Sequence, residues 1–331
     1  MILVYVEHDA GRLDRLSAEA LTFARRVAGQ AGVPLHAVAF GPGSDAPALT
    51  AALGELGVAS LQAVDHPSLA AFAPAALGTA MAALIAGAAT APVAVVGPGS
   101  DRGVEVIAYL AARSGLPLSA NVTAATAGSG AAPWSLTRQR WGGSLLEDLE
   151  LSGPTILLTV ASHALEPEPA TAATTVAVEH VTADVADRDL RARVVSRVAA
   201  EAGKVSLADA RVVVGGGRGV GSEAGFAELD ELAALLGGTV GVSRVVTSAG
   251  WRPHAQQVGQ TGTRIAPELY IACGISGAIQ HIVGCRAAKN ILAINTDRDA
   301  PLVARAQYAV IGDLHTVLPA IIAEVKAATG R

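Results

Sequence analysis

Short aliphatic runs alternate with helix-patterned segments along most of the chain, and this alternation sharply limits the folds open to it. Ile2–Val6, Leu35–Phe40, Ser60–Val64 and Val93–Val96 read as strands. The helical patterns Ala18–Ala28, Ala46–Leu56 and Ala70–Ala86 lie between them, and Gly103–Ala112 follows the last. Runs without polar alternation are buried on both faces, and strand–helix–strand order calls for parallel pairing. The expectation is an α/β fold in which each sheet is mostly parallel and flanked by helices. Ser17 is read as the residue before the first helix, with Gly29 and Gly32 near its end.

The pattern then changes. Trp134–Trp141, Gly143–Leu151 and Thr155–Val160 read as strands without intervening helices, and are expected to extend or edge the first sheet. Val176–Val181 is one more short strand, after a connection rich in Pro, Ala and Thr. The charged stretch from Asp184 to Arg193 is the best boundary, giving an N-terminal domain 1–190 and a C-terminal domain 191–331. Two domains of ordinary size suit 331 residues. Alternation resumes with strands at Arg211–Val214, Thr239–Val242, Leu269–Ala272, Ile291–Ile294 and Tyr308–Ile311. Helices are expected at Phe226–Leu236, from Gly277, and at Leu314–Ala327, where Pro319 must fall in the first turn or kink the helix.

Composition excludes several classes of function. Aromatic residues are only 3% and charged residues 16%, so the core must be built from Ala, Val, Leu, Ile and Gly. With a net charge of −5 and no basic block, the chain lacks the footprint that nucleic acid requires. Its two cysteines, Cys273 and Cys285, form no CxxC pair, which argues against a disulfide framework or structural metal and for a reduced, cytoplasmic setting. The N-terminus has no basic region and reads as a buried strand rather than a signal peptide. Ser68 to Ser100 carries no charge, but Pro74, Pro92 and Pro98 interrupt it, so it reads as helix then strand and not as a membrane span. No GxSxG or HExxH pattern occurs.

Four polar blocks interrupt the second half. Gly215–Ser222 follows a strand, but it fails the GxGxxG spacing, and Ser222 stands where a P-loop needs Lys. Ser243-Arg244 also follows a strand, where an Arg is more often a solvated surface charge. Gln257-Val258-Gly259-Gln260-Thr261-Gly262 alone is a polar loop. In the fourth block, Leu269–His281, Ser276 suits a helix N-cap whose backbone N–H groups could meet a pyrophosphate, and Gly277 allows close approach. Beyond the blocks, Asn295 and Asp313 end strands, where open α/β sheets bind ligands; helix capping competes as the role of Asp313.

In this order the four blocks resemble the alpha subunit of electron transfer flavoproteins, most strongly over Val212–Leu314. The first half is similar to that family only in its α/β pattern and length. The resemblance implies an electron carrier rather than a substrate-transforming enzyme, with a Rossmann-like or flavodoxin-like C-terminal domain that binds FAD. It implies that Arg218 faces phosphate or ribose, Ser243 the phosphate region and Arg244 the flavin ring. It places the Thr261 hydroxyl at flavin N5, with Gln257, Gln260 and Gly262 holding the ring and chain. His281 would lie near the pyrimidine carbonyl and, titrating near neutrality, make its effect pH-dependent. Asn295 and Asp313 would hold the adenosine end, and Ser276, Gly277, Gln280 and Leu314 complete the expected contacts.

The resemblance also implies a beta subunit carrying AMP or a second FAD and docked on the first domain. Acyl-CoA dehydrogenases would be donors and a membrane quinone oxidoreductase an acceptor. Two positions depart from the family: Ser248 stands where Asp is common, and Thr263 where Lys is common. They leave open a non-redox nucleotide-binding or regulatory subunit on the same fold. An NAD-linked oxidoreductase is disfavoured by the failed GxGxxG pattern.

Overall fold

A computed structural model describes residues 1–128, 132–196 and 205–330. The chain divides into two compact units, Met1–Arg197 and Val198–Arg331.

The first unit begins with β1 (Ile2–Tyr5) and a small antiparallel ribbon, β2 (His8–Asp9) with β3 (Arg12–Leu13). Then come α1 (Arg15–Ala31), β4 (Leu35–Phe40), α2 (Pro47–Glu55), β5 (Ser60–Val64), α3 (Pro74–Gly87), β6 (Ala94–Gly97) and α4 (Asp101–Ser114). Asp14 caps α1 by accepting from the Leu16 and Ser17 amides, so the helix starts two residues before Ser17. Four strands follow without helices, β7 (Leu118–Thr126), β8 (Trp134–Arg140), β9 (Leu145–Leu151) and β10 (Ile156–Val160), and β11 (Ala177–Val181) comes last.

These strands, the ribbon apart, form one nine-stranded sheet in the order β11-β5-β4-β1-β6-β10-β7-β8-β9. Pairing is parallel except at β7–β8 and β8–β9. The hairpin β8–β9 edges the sheet as expected. The third run of that group does not, because β10 lies between β6 and β7, near the centre. All five of its residues are buried, with Leu158 in the cluster on one face and Leu157 in the cluster on the other. The charged stretch from Asp184 also packs on this unit: Asp189 is buried and pairs with Arg113 at 2.5 Å.

The second unit restarts with β12 (Val212–Gly216), α5 (Phe226–Leu235), β13 (Thr239–Val242), the short α6 (Arg244–Ser248) and β14 (Leu269–Cys273). It closes with α7 (Ile279–Cys285), β15 (Asn290–Asn295), β16 (Tyr308–Ile311) and α8 (Leu314–Thr329). The five strands are all parallel, in the order β13-β12-β14-β15-β16. That is the flavodoxin-like order, in which the chain first winds one way from its leading strand and then the other. Leu314, Leu318 and Ile322 recur every four residues, so one face of α8 packs with α5 over the sheet. Ile282 and Cys285 of α7 pack with Tyr270 and Leu302 in a separate cluster. Pro319 sits in the second turn of α8 on its exposed side, forgoing one helical hydrogen bond. Among the described residues, no helix is long and apolar enough to cross a membrane.

Candidate functional site

In an open parallel sheet, ligands bind beyond the carboxyl ends of the strands where the winding reverses. Here the reversal lies between β12 and β14. The turns leaving these strands interlock: the Gly217 amide donates to the Cys273 carbonyl at 2.9 Å and the Gly219 amide to the Gly274 carbonyl at 3.1 Å. A Cβ on Gly217 would come within 2.2 Å of the Gly274 oxygen, so only glycine permits this contact.

Beside these turns lies a cavity of about 500 Å³, within the usual range for cofactor clefts of about 300–1,000 Å³. Arg218, Ser243, Arg244, Gln257, Gln260, Thr261, Ser276, Gly277, Gln280 and His281 all line it. Four other expected contacts do not. Gly262 is pressed against the Gln257 backbone, where a Cβ would meet the carbonyl at 2.2 Å. Asn295 donates to the Ile275 carbonyl at 3.1 Å and accepts from the Asp297 amide at 3.0 Å. Asp313 caps α8 by accepting from the His315 amide at 3.0 Å, and Leu314 is buried in the core.

The site is electropositive. Among the described residues no carboxylate lines the cavity, and neither Arg218 nor Arg244 has an ion-pair partner. Ser243 is the N-cap residue of α6, and Arg244 its first helical residue. Unpaired guanidinium groups in a cleft favour an anionic guest by direct Coulomb attraction.

The helix α7 starts at Ile279 after Ala278, rather than at Gly277 behind a Ser276 cap. The physical reason is Gly277, whose φ of +85° breaks helical geometry and lets the Leu302 backbone approach. A Cβ there would meet the Leu302 nitrogen at 2.5 Å. Ser276 therefore caps no helix; its carbonyl accepts from the Leu302 amide at 3.1 Å.

His281 is 6% exposed and bonded through Nε2 to the Tyr270 hydroxyl at 2.8 Å. Tyr270 is fully buried, and its hydroxyl and the imidazole share this one hydrogen bond, whose direction follows the His281 tautomer. Burial pushes the His281 pKa down to about 4, with the Val258 carbonyl offsetting part of the shift. In this structure the ring is thus neutral at physiological pH, contrary to titration near neutrality. Sequence reading passed over Tyr270; its only signal was a phenol placed within an aliphatic strand.

A second arrangement escaped the sequence entirely. Gln257 is 2% exposed, and its Oε1 accepts from the Thr247 hydroxyl at 2.6 Å. Its Nε2 donates to the Thr261 hydroxyl oxygen at 2.9 Å. Ser248, the position that departs from the family pattern, also lines the cavity. Cys273 and Cys285 are free and buried, and burial pushes each thiol up to about 12. Among the described residues, no group of three or more His, Cys, Asp or Glu could hold a metal ion.

Comparison with known proteins agrees with this architecture. The family model described as the electron transfer flavoprotein domain matches residues 2–186, and that of the electron transfer flavoprotein FAD-binding domain matches residues 206–286. The chain is 36% identical over 330 residues to the electron transfer flavoprotein subunit alpha of Mycobacterium leprae (strain TN), covering 99% of each. It is 34% identical over 339 residues to Protein FixB of Clostridium saccharobutylicum, covering 98% of this chain and 96% of that one.

Proposed function

The chain belongs to the electron transfer flavoprotein alpha-subunit family, and on that premise we propose that its FAD lies in the cavity beside the turns after β12 and β14. As an alpha subunit it is an electron carrier rather than an enzyme with substrate turnover. The carrying observation is an uncharged-to-cationic cleft, with two unpaired arginines and no carboxylate, at the reversal point of a parallel sheet. Such a cleft fits a dinucleotide with a pyrophosphate.

Bound FAD supplies the redox chemistry. Arg218, Ser243, Ser276 and the Gly277 backbone hold its phosphate and ribose region. Arg244 would favour negative charge on a ring held here, and so would raise the tendency of the flavin to be reduced. Gln257, Gln260 and Thr261 would hold the ring, Thr261 offering its hydroxyl to N5, and neutral His281 would serve the pyrimidine side. The adenosine end would extend beyond this cavity toward Asn295 and Asp313, which do not line it. Their capping and turn hydrogen bonds fix the local backbone there.

The working form is a heterodimer with a beta subunit that carries AMP or a second FAD. Dehydrogenases such as acyl-CoA dehydrogenases deliver electrons and a quinone oxidoreductase or similar acceptor removes them, in the cytoplasm. The test is the visible spectrum during stepwise reduction of this chain purified with its beta-type subunit. Flavin bands that bleach through a one-electron stage are expected. A colourless complex that refuses added FAD would instead favour a non-redox nucleotide-binding subunit.

A further inference from the structure

The polarity of the cavity at Thr261 is set from outside it. Thr261 and the buried Gln257 both line the cavity, and Thr247 lies beyond Gln257 on α6, outside the lining. The buried amide has two possible orientations, and each gives Thr261 the opposite role. If Oε1 faces Thr247 and Nε2 faces Thr261, the Thr261 oxygen accepts and its own proton is free for the cavity. If the amide is turned over, Oε1 captures the Thr261 proton and a lone pair is left for the ligand.

Thr247 decides between them. Its hydroxyl has one proton and two acceptors in reach, Gln257 Oε1 at 2.6 Å and the Arg244 carbonyl at 2.9 Å. O–H···O bonds centre near 2.7–2.8 Å and N–H···O bonds near 2.9–3.0 Å. The 2.6 Å contact to Thr247 therefore suits an O–H donor meeting an oxygen, and the 2.9 Å contact to Thr261 suits an amide N–H. Either orientation would satisfy both ends of Gln257, because Thr247 can accept an amide N–H while its proton goes to the Arg244 carbonyl; the lengths make the choice, and an apolar residue at 247 would leave one end unmet.

We propose that Thr247 is a positioning residue: its hydroxyl aims the Gln257 amide, so that Thr261 presents a proton to the cavity and selects a ligand with an acceptor atom there. This rests on the reading above that Thr261 faces flavin N5. Oxidised flavin offers a lone pair at that atom, whereas 5-deazaflavin has a C–H in its place and is otherwise the same.

The experiment measures equilibrium binding of oxidised FAD and of 5-deaza-FAD to the flavin-stripped complex of this chain with its beta-type subunit. The parent should prefer FAD by about five-fold, the worth of one neutral hydrogen bond. Thr247→Val should shrink the preference to about two-fold or less, and Thr247→Ser should restore it. Gln257→Glu, an acceptor-only side chain that captures the Thr261 proton, should abolish it, even if both affinities fall. A parent that binds both cofactors equally, or a Thr247→Val variant that keeps the full preference, overturns the proposal. A parent that binds neither cofactor overturns the FAD reading itself and the proposal with it.

Discussion

His281 shows how a single residue can be misjudged from its neighbours in sequence. Its partner Tyr270 lies on a different element, and its burial is a property of the assembled sheet and α7. Neither is visible in the local string, which offers only the ordinary titration of a histidine. Burial makes a prediction with a definite sign. Below pH 6.5 the unfolded chain takes up a proton at this ring that the folded chain refuses until about pH 4. Stability contributed here is therefore complete above 6.5 and declines as pH falls toward 4, by roughly 3 kcal/mol in all. Denaturant unfolding of the parent and of His281→Gln should show a smaller loss in the variant between pH 7 and pH 4.5; parallel pH profiles would contradict the assignment. At Gly277 the sequence pointed to close approach by a ligand, and the structure adds a second close neighbour, the Leu302 backbone. Gly277→Ala should lower stability by about 2–4 kcal/mol, because positive φ and the crowding at Leu302 act together. A loss of unfolding free energy less than a tenth of that size, measured by denaturant unfolding, would show that the backbone relaxes.

At the scale of elements, most strands and helices were legible because their aliphatic runs are unbroken. The strand order was not, since periodicity says which face is buried and nothing about which strand lies alongside. Residues 156–160 could have been placed centrally, as a run apolar on both faces belongs inside a parallel sheet. The strand Leu118–Thr126 was missed for a different reason. Asn121 adopts φ +59°, the pairing register slips between Leu158 and Val160, and small polar residues dilute the pattern. The Asn121 amide is instead satisfied by the Thr159 hydroxyl oxygen at 3.1 Å. The central position of β10 predicts asymmetric costs. Leu158→Ala should destabilise by about 2–5 kcal/mol, whereas Leu146→Ala on the exposed edge hairpin should stay within about 0.5 kcal/mol. Chemical denaturation of both variants measures this, and equal costs would place β10 wrongly.

Across the whole molecule, no described strand of one sheet pairs with the other. The nine-stranded sheet uses residues up to Val181, and the five-stranded sheet uses Val212 to Ile311. Every residue lining the proposed FAD cavity belongs to the second unit. Residues 1–196 and 205–331 produced as separate chains should therefore each show cooperative unfolding, with FAD-induced stabilisation confined to the second. Stabilisation of the first by FAD would relocate the site. The second unit was also where the sequence spoke most clearly, because its polar turns interrupt an otherwise aliphatic text at the points where strands end.

The interlocked turns after β12 and β14 carry a lesson for anyone who would transplant this cavity. Gly217 and Gly219 fit against Gly274 as two halves of one joint, although more than fifty residues of chain lie between them. A chimera that borrows only one turn from a distant relative inherits half a hinge pin, and a side chain on the foreign half would prise the strands' ends apart. The two turns form a single heritable part, to be exchanged together or left alone.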